Sequence, residues 1–380
     1  MGEPLKVFFN RDLVRRLAGE IGRVHPGFEE RAFVERAAKG LEELELLERG
    51  KHIAGALAEH LPGAYPKAIG VLLRSLGPRH ASDELAGAGM APFFYLPHTI
   101  FVAEHGLGHF DLSLEAQREL TKRFTAEWSI RPYLAKDPER TFAFLERWAR
   151  DRDPHVRRLV SEGTRIRLPW AMRVAWLDAN PTRILSLLER LKDDPASVVR
   201  RSVANNLNDL GKVHPKLVFD TCASWLDGAS AERRALVEHA LRSAVKRGET
   251  RALELLGYGK KPAVAIAEVS FEPRRVRIGG TVAVGFVLRS TSGRRQDLLV
   301  DLAVHFVKAR GHASAKVFKL KRVTLPPRGE VVLQRRISLA VHTTRKPNPG
   351  RHAVDVLVNG VPTRAGTFDV LAQLRSRTHG

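Results

Sequence analysis

One short stretch, SEGTRIRLPW at positions 161–170, places a carboxylate and a tryptophan among closely spaced arginines. The arginines on either side of Glu162 are Arg157, Arg158, Arg165 and Arg167. Basic residues in such density attract phosphates, which a carboxylate would repel. Glu162 therefore requires a role other than affinity, and the stabilisation of a positive charge on a substrate is one such role.

A second carboxylate, Glu127, precedes a comparable run of residues in the segment TKRFTAEWS. Two carboxylates beside an aromatic residue on a DNA-binding surface suggest attack at a sugar carbon. Cleavage of an N-glycosidic bond produces an oxocarbenium-like sugar, which a carboxylate can stabilise or supply with a positioned water. Trp170 follows Pro169 at an expected helix start and could present an electron-rich face to a cationic base.

Other interpretations of these residues remain open. A lone glutamate is commonly a solvated or salt-bridged surface residue, and a tryptophan is commonly core. We favour helix-packing core for the remaining tryptophans, Trp128, Trp148, Trp176 and Trp225. The pair His105 and His109 has a spacing used by zinc helices, but two glycines weaken any helix there, and we expect no metal. No Walker motif or nucleophile elbow is present.

A repeat of 43 residues would position the two carboxylates. DPERTFAFLERWARDRDPHVRRLVSEG aligns with NPTRILSLLERLKDDPASVVRRSVANN, with Pro138 on Pro181. This period, with paired helices, is typical of a HEAT-like α-solenoid. Weaker copies flank it, and TKRFTAEWS is taken as the preceding second helix. In that register Glu127 and Glu162 each lie four residues beyond an arginine and share its helix face.

The same register predicts a ladder of basic pairs along successive second helices. The pairs are Lys122-Arg123, Arg157-Arg158, Arg200-Arg201 and Arg233-Arg234. Such spacing suits a phosphate backbone, so we predict DNA contacts at Arg123, Arg157, Arg158, Arg200 and Arg201. For one member of each pair, a salt bridge between repeats is an equally good interpretation.

The charge of the chain supports a polyanionic partner. The 380 residues carry a formal net charge of +21. Residues 261–380 hold 22 of the 63 basic residues and 7 of the 42 acidic ones, so the excess is concentrated there. Nucleic acid is the first candidate partner. A single cysteine and the lack of a secretory or membrane-spanning apolar run predict a cytoplasmic protein with no membrane partner.

The chain reads as two domains of different class. Helical periodicity continues to about Gly259, and alternating valine-rich runs follow from Pro262. About seven candidate strands, with a hairpin turn at Asn359-Gly360, fit an immunoglobulin-like β-sandwich. We predict a multidomain all-α plus all-β protein, with an α-solenoid at 1–257 and a basic β-sandwich with a short tail at 258–380. Loops at Arg294-Arg295 and Arg345-Lys346 are candidates for DNA contact.

Three long motifs resemble a known family. AEWSIRPYL, VRRLVSEGTRIRLPW and SVANNLNDLGKVHP are similar to segments of the AlkC branch of the HEAT-like alkylpurine DNA glycosylases, and the likeness covers positions 8–256. The resemblance implies base-excision repair of alkylated double-stranded DNA by a monofunctional enzyme. It further implies hydrolytic removal of 3-methyladenine and 3-methylcytosine without a cofactor, and an immunoglobulin-like domain that also engages DNA. A monomer is expected.

The resemblance also nominates site residues. It places Glu127, Glu162 and Trp170 in the active site with Asp209 nearby. It gives Arg158, Arg165 and Arg167 contacts to backbone phosphates. Trp128 stands where the family pattern has Phe, and Ile166 where it has Pro. The alternative function is a non-catalytic HEAT-repeat protein that binds DNA or serves as a scaffold, since a repeat and a basic surface alone require no chemistry.

Overall fold

The computed structural model describes residues 5–79, 91–259, 261–308, 311–341 and 346–372. Contacts divide the chain into two compact units, Met1–Val218 with Trp225–Ala240, and Phe219–Ser224 with Leu241–Gly380. Helices make up the first unit, and strands make up most of the second. Arg345, one of the predicted DNA-contact residues, lies outside the described residues.

Fifteen α-helices occur in the described part of the chain. They are α1 (Arg11–Gly22), α2 (Glu30–Ala38), α3 (Leu46–His60), α4 (Tyr65–Arg74), α5 (Leu96–His105), α6 (Phe110–Thr121), α7 (Arg131–Lys136), α8 (Pro138–Trp148), α9 (Pro154–Gly163), α10 (Ala175–Ala179), α11 (Pro181–Leu191), α12 (Ser197–Leu210), α13 (Pro215–Leu226), α14 (Ala231–Lys246) and α15 (Thr250–Leu255). None of these helices is long and apolar enough to cross a membrane.

The predicted repeat is present at α8–α9 and α11–α12. Each first helix begins with the aligned proline, Pro138 or Pro181, in a position where its missing N–H costs nothing. Asp153 caps α9 by accepting a hydrogen bond from the backbone N–H of His155 at 2.8 Å. Helices α9 and α12 pack side by side, each also against its own partner helix. The HEAT-like arrangement of paired helices is therefore confirmed.

The flanking copies differ from one another. AERRALVEH forms the first part of α14, as the repeat predicts. TKRFTAEWS does not form a second helix, because α6 ends at Thr121 and the chain continues in turns to Ile130. Pro132 occupies the first turn of a new helix, α7, where it needs no donor. Glu127 is thus a loop residue, and the prediction that it shares a helix face with Arg123 is wrong.

Eight strands form two sheets within the described residues. The strands are β1 (Val264–Glu272), β2 (Arg275–Arg277), β3 (Thr281–Ser290), β4 (Gln296–Val307), β5 (Ala313–Leu325), β6 (Glu330–Ser338), β7 (Gly350–Val358) and β8 (Val361–Leu371). The orders are β1-β3-β6 and β2-β8-β7-β4-β5. Alternate side chains such as Phe286, Leu302 and Val356 are buried in one core. This is the predicted β-sandwich, with the short β2 as an additional strand.

The hairpin between β7 and β8 turns at the predicted pair. Asn359 has φ 48° and Gly360 has φ 76°, the left-handed values that a two-residue hairpin turn of this kind requires. The Asn359 side chain also accepts a hydrogen bond from the backbone N–H of Leu299 at 2.8 Å. The turn therefore fixes the register of β7 against β8 and joins it to β4.

Candidate active site

Four aromatic side chains and two carboxylates line one cavity of about 380 Å³ in the helical unit. The aromatic residues are Phe93, Phe124, Trp128 and Trp170. The carboxylates are those of Glu127 and Glu162. The structure therefore brings together the two acids that the sequence singled out, although one lies on a loop and the other in the last turn of α9.

Thr125 and Arg158 hold the Glu127 carboxylate. The Thr125 hydroxyl donates to Glu127 Oε2 at 2.6 Å, and Arg158 Nη2 lies 3.0 Å from the same oxygen. The loop itself is anchored by Ser129, whose hydroxyl donates to Gln117 Oε1 at 3.0 Å. A side chain with these contacts is preoriented toward the cavity. Thr125 was not predicted, and its position two residues before Glu127 is the only signal that the sequence offers.

Basic and acidic side chains alternate from Glu127 to the end of α12. Arg158 Nη2 lies 3.9 Å from Glu162 Oε1, and Arg165 Nη1 lies 2.9 Å from Glu162 Oε2. Arg165 Nη2 also lies 2.7 Å from Asp209 Oδ2, and Lys212 Nζ lies 2.9 Å from Asp209 Oδ1. Three acids and three bases thus form one linked series of ion pairs. Arg158 and Arg165, for which the resemblance implies phosphates, contact carboxylates here.

Burial sets this series apart from surface ion pairs. The side chain of Glu162 is 6% exposed and that of Asp209 is 3% exposed. Burial alone would lower the pKa of Arg165, but attraction by Glu162 and Asp209 outweighs it and raises that pKa above its usual value. Asp209 is not among the cavity-lining residues and acts on the cavity through Arg165.

Trp170 lies in a turn before α10, so the prediction of a helix start is wrong. Its φ is 59°, in the left-handed region that bulky residues avoid, and its side chain is 73% exposed. The rings of Trp170 and Trp128 meet edge to face with centroids 6.3 Å apart. Trp128 is therefore a half-buried cavity wall rather than a core residue. A strained, exposed tryptophan beside two acids is a feature of functional sites.

We expect Trp170→Gly to lower base release about five- to tenfold, because a cation–π contact contributes about 1 kcal/mol. Thermal stability should stay the same or rise, since glycine adopts a positive φ without strain. Single-turnover kinetics and a thermal melt measure the two effects. Trp170→Phe is the control, because it keeps an aromatic face. A release rate for Trp170→Gly equal to that of the unsubstituted protein would remove Trp170 from the site.

The first arginine of each repeat pair lies within the fold. Arg157 forms a bidentate pair with Asp194 at 2.5 and 2.9 Å. Arg200 Nη1 donates to the carbonyl oxygens of Asp194 and Pro195 at 2.6 and 2.8 Å. Arg123, which follows α6, donates to the carbonyl oxygen of Gly77 at 2.8 Å. These contacts match the salt-bridge interpretation that was left open for one member of each pair.

Arg167 and Arg201 have a different environment. Both are exposed, and neither forms a side-chain hydrogen bond or ion pair with another described residue. Arg201 also lines a second cavity of about 700 Å³ between α12 and α14, whose other basic residues are Arg158, Arg200 and His239. The second member of this repeat pair is therefore available to a ligand, whereas the first supports the loop between helices.

Arg157→Ala should destabilise the protein by about 3–5 kcal/mol, because it leaves the nearly buried Asp194 without its counterion. Arg201→Ala, one repeat later and exposed, should change stability by less than about 0.5 kcal/mol. Urea unfolding of the two variants measures the difference. Equal stability of the two variants would contradict the structural assignment of Arg157.

Phe93 and Phe124 were missed by the sequence interpretation. Their rings are 5.1 Å apart and form the wall of the cavity on the side of the Glu127 loop. Phe93 precedes α5 and is separated from Glu127 by all of α5 and α6, so no local pattern connects it to the site. Only the packing of the helices brings it there.

Fold and site together define a class: a helical-repeat protein with a buried carboxylate in an aromatic cavity, followed by an immunoglobulin-like sandwich. Residues 123–247 match the family model of the DNA alkylation repair enzymes. Residues 265–372 match the model of the C-terminal Ig-like domain of the uncharacterised protein YhaZ. The two matched segments fall on the helical repeats and on the strands.

Two relatives match over nearly the whole chain. The uncharacterized protein YhaZ of Bacillus subtilis (strain 168) is 32% identical over 357 residues, which cover 94% of this chain and 96% of the relative. The Pseudomonas fluorescens alkylpurine DNA glycosylase AlkC, solved bound to DNA containing an abasic site analog, is 37% identical with a TM-score of 0.90. That match covers 97% of this chain and 100% of the other. The chain belongs to the AlkC family of alkylpurine DNA glycosylases, enzymes of DNA alkylation repair.

Proposed function

We propose that this chain hydrolyses the N-glycosidic bond of cationic N3-alkylated bases, 3-methyladenine and 3-methylcytosine, in double-stranded DNA. One observation carries the proposal: Glu162 is almost buried and yet lines an aromatic cavity together with Glu127. A carboxylate in such a site attracts a cation and repels a phosphate. The substrate of this site is therefore the positively charged base or sugar.

The chemistry follows from the charge of the lesion. The bond between C1′ and the base nitrogen breaks, and its electron pair neutralises the cationic base, which leaves. Positive charge then develops on the sugar, where Glu162 stabilises it. Water adds to C1′ and gives up a proton, and Glu127, the more exposed of the two acids, accepts that proton. Trp170 and Trp128 flank the departing cation.

DNA contacts are assigned by what each arginine already holds. Arg167 and Arg201 bind backbone phosphates, because they are exposed and without partners among the described side chains. Arg158 and Arg165 bind a phosphate only on the side that faces away from their carboxylates. The helical domain at 1–257 carries the catalytic site, and the sandwich at 258–380 adds DNA affinity. The protein acts as a monomer in the cytoplasm.

A glycosylase assay tests the proposal. Methylated duplexes with either 3-methyladenine or 3-methylcytosine are incubated with the protein, and free base and abasic sites are measured. Release of both bases is the expected result. Tight binding of both duplexes without release would instead favour the non-catalytic DNA-binding alternative. Release of adenine lesions alone would narrow the substrate class to purines.

A further inference from the structure

Arg131, the first residue of α7, is a guanidinium inside the helical unit. It is 1% exposed, and its side chain contacts three backbone carbonyls. Nε donates to the carbonyl oxygen of Met172 at 2.7 Å. Nη1 donates to the carbonyl oxygens of Gly163 and Arg165 at 3.0 and 2.9 Å. One planar side chain therefore binds three points on a single segment.

The segment that Arg131 binds is the one that completes the cavity. Gly163 ends α9 directly after Glu162, and Met172 follows Trp170 by two residues. The intervening residues include Arg165, which pairs with Glu162, and the strained Trp170. Arg131 itself follows the Glu127 loop. It is thus the covalent continuation of one wall of the cavity and the hydrogen-bonding partner of the other wall.

The energetics of Arg131 are unfavourable without a gain elsewhere. No carboxylate among the described residues forms an ion pair with it. Burial, followed by the nearby charge of Arg173, lowers the pKa of Arg131 to about 10, so the group stays charged near neutral pH. A buried charge held only by neutral carbonyls is expensive, and an apolar residue of similar size is often no worse for stability. What an apolar residue cannot supply is the fixed geometry of three carbonyls.

We propose that Arg131 is a positioning residue of the glycosylase site, which fixes the segment from Gly163 to Met172, and with it Arg165 and Trp170, relative to the Glu127 loop. The inference rests on the proposed function. A rigid guanidinium fork holds the three carbonyls in one arrangement, which a lysine ammonium cannot reproduce. Displacement of catalytic groups by about 1 Å can cost about 100-fold in rate.

The chain supplies a matched control in Arg49. It is 5% exposed, and it too donates only to backbone carbonyls, those of Leu44, Lys6, Phe9 and Glu42 at 2.9, 2.9, 2.8 and 2.6 Å. Its partners lie among the N-terminal helices and do not line the cavity. Arg49→Lys therefore perturbs the same chemistry away from the site.

The experiment compares Arg131→Lys with Arg49→Lys in the full chain. We expect Arg131→Lys to lower the single-turnover rate constant for 3-methyladenine release about 10- to 100-fold, with the Kd for abasic-site DNA changed less than about threefold. Arg49→Lys should keep the rate within about twofold at a comparable loss of thermal stability. Backbone amides of residues 163–172 should exchange hydrogen faster in Arg131→Lys only. Arg131→Gln serves if the lysine variant does not fold.

Each outcome separates the two hypotheses. Equal rate losses in the two variants, or an unchanged rate in Arg131→Lys, would overturn the positioning role while leaving the proposed function intact. Absence of base release by the unsubstituted protein would overturn the proposed function instead. In that case the exchange measurement alone still decides whether Arg131 holds the segment: protection of residues 163–172 unchanged in the variant would reject it.

Discussion

Glu162→Gln should lower the rate constant for 3-methyladenine release by at least about 100-fold, the usual effect of removing one group that stabilises transition-state charge. The amide keeps the shape of the side chain and removes the negative charge that faces the cavity. Arg165 retains its pair with Asp209 at 2.7 Å, so the ion-pair series loses one member without leaving a buried cation unpaired. Single-turnover release from a methylated duplex measures the effect.

Binding and stability provide the controls for this prediction. The Kd for undamaged duplex should stay the same or decrease, because removal of a negative charge lessens repulsion of phosphates. Glu139→Gln is a matched control, since that glutamate is 63% exposed on α8 and pairs with Arg183. It should release base at the normal rate. Full activity of a folded Glu162→Gln would disprove the catalytic role and leave Glu127 as the remaining carboxylate of the cavity.

The repeat accounts for what could be predicted of the site. Aligned prolines, leucines and arginine pairs at one offset established the helix pairs α8–α9 and α11–α12, and with them the placement of Glu162 in the last turn of a second helix. Helical periodicity and turn chemistry are local properties, so they are present in the sequence. The same holds for the Asn359-Gly360 turn, whose positive φ values follow from the residue types.

Long-range partners could not be predicted in this way. Arg158 meets Glu127 across 31 positions, and Arg157 meets Asp194 across 37. Composition shows that the chain is basic, but it does not show which arginines are already paired within the fold. The prediction of a uniform basic ladder fails for this reason. Glu127 reaches the cavity by a loop that packing and Pro132 determine, and not by the helical register that was predicted for it.

The boundary between the domains remains a prediction. Residues 241–255, which are helical, group with the strands in one compact unit, and Leu253 contacts Gly360 within that unit closely enough that a Cβ on the glycine would lie 2.7 Å from it. A truncation after Lys260, the natural test of the sandwich on sequence grounds, would therefore divide a compact unit. Substitutions in the full chain test the sandwich without this damage.

The two loops proposed for DNA contact on charge alone lie at opposite ends of the sandwich. Arg294 and Arg295 connect β3 to β4, beside the turn between β5 and β6, where the backbone N–H of Arg328 donates to the carbonyl oxygen of Ser292 at 3.1 Å. Lys346 precedes β7, near the other end of β4, since neighbouring Asn348 donates to the carbonyl oxygen of Val307. Only the first end gathers three exposed arginines on adjacent turns.

Replacement of Arg294, Arg295 and Arg328 by glutamine should therefore weaken duplex binding about tenfold or more near 0.15 M salt. The slope of log K against log salt concentration should fall by up to about 3, since each lost phosphate contact removes about 0.9. The release rate at saturating DNA should persist, because the cavity lies in the helical unit. Lys39, Lys51 and Lys67, exposed lysines of the N-terminal helical region, give a control variant with the same change in net charge. If that control lowers the slope equally, the effect comes from overall charge and this end of the sandwich does not grip DNA.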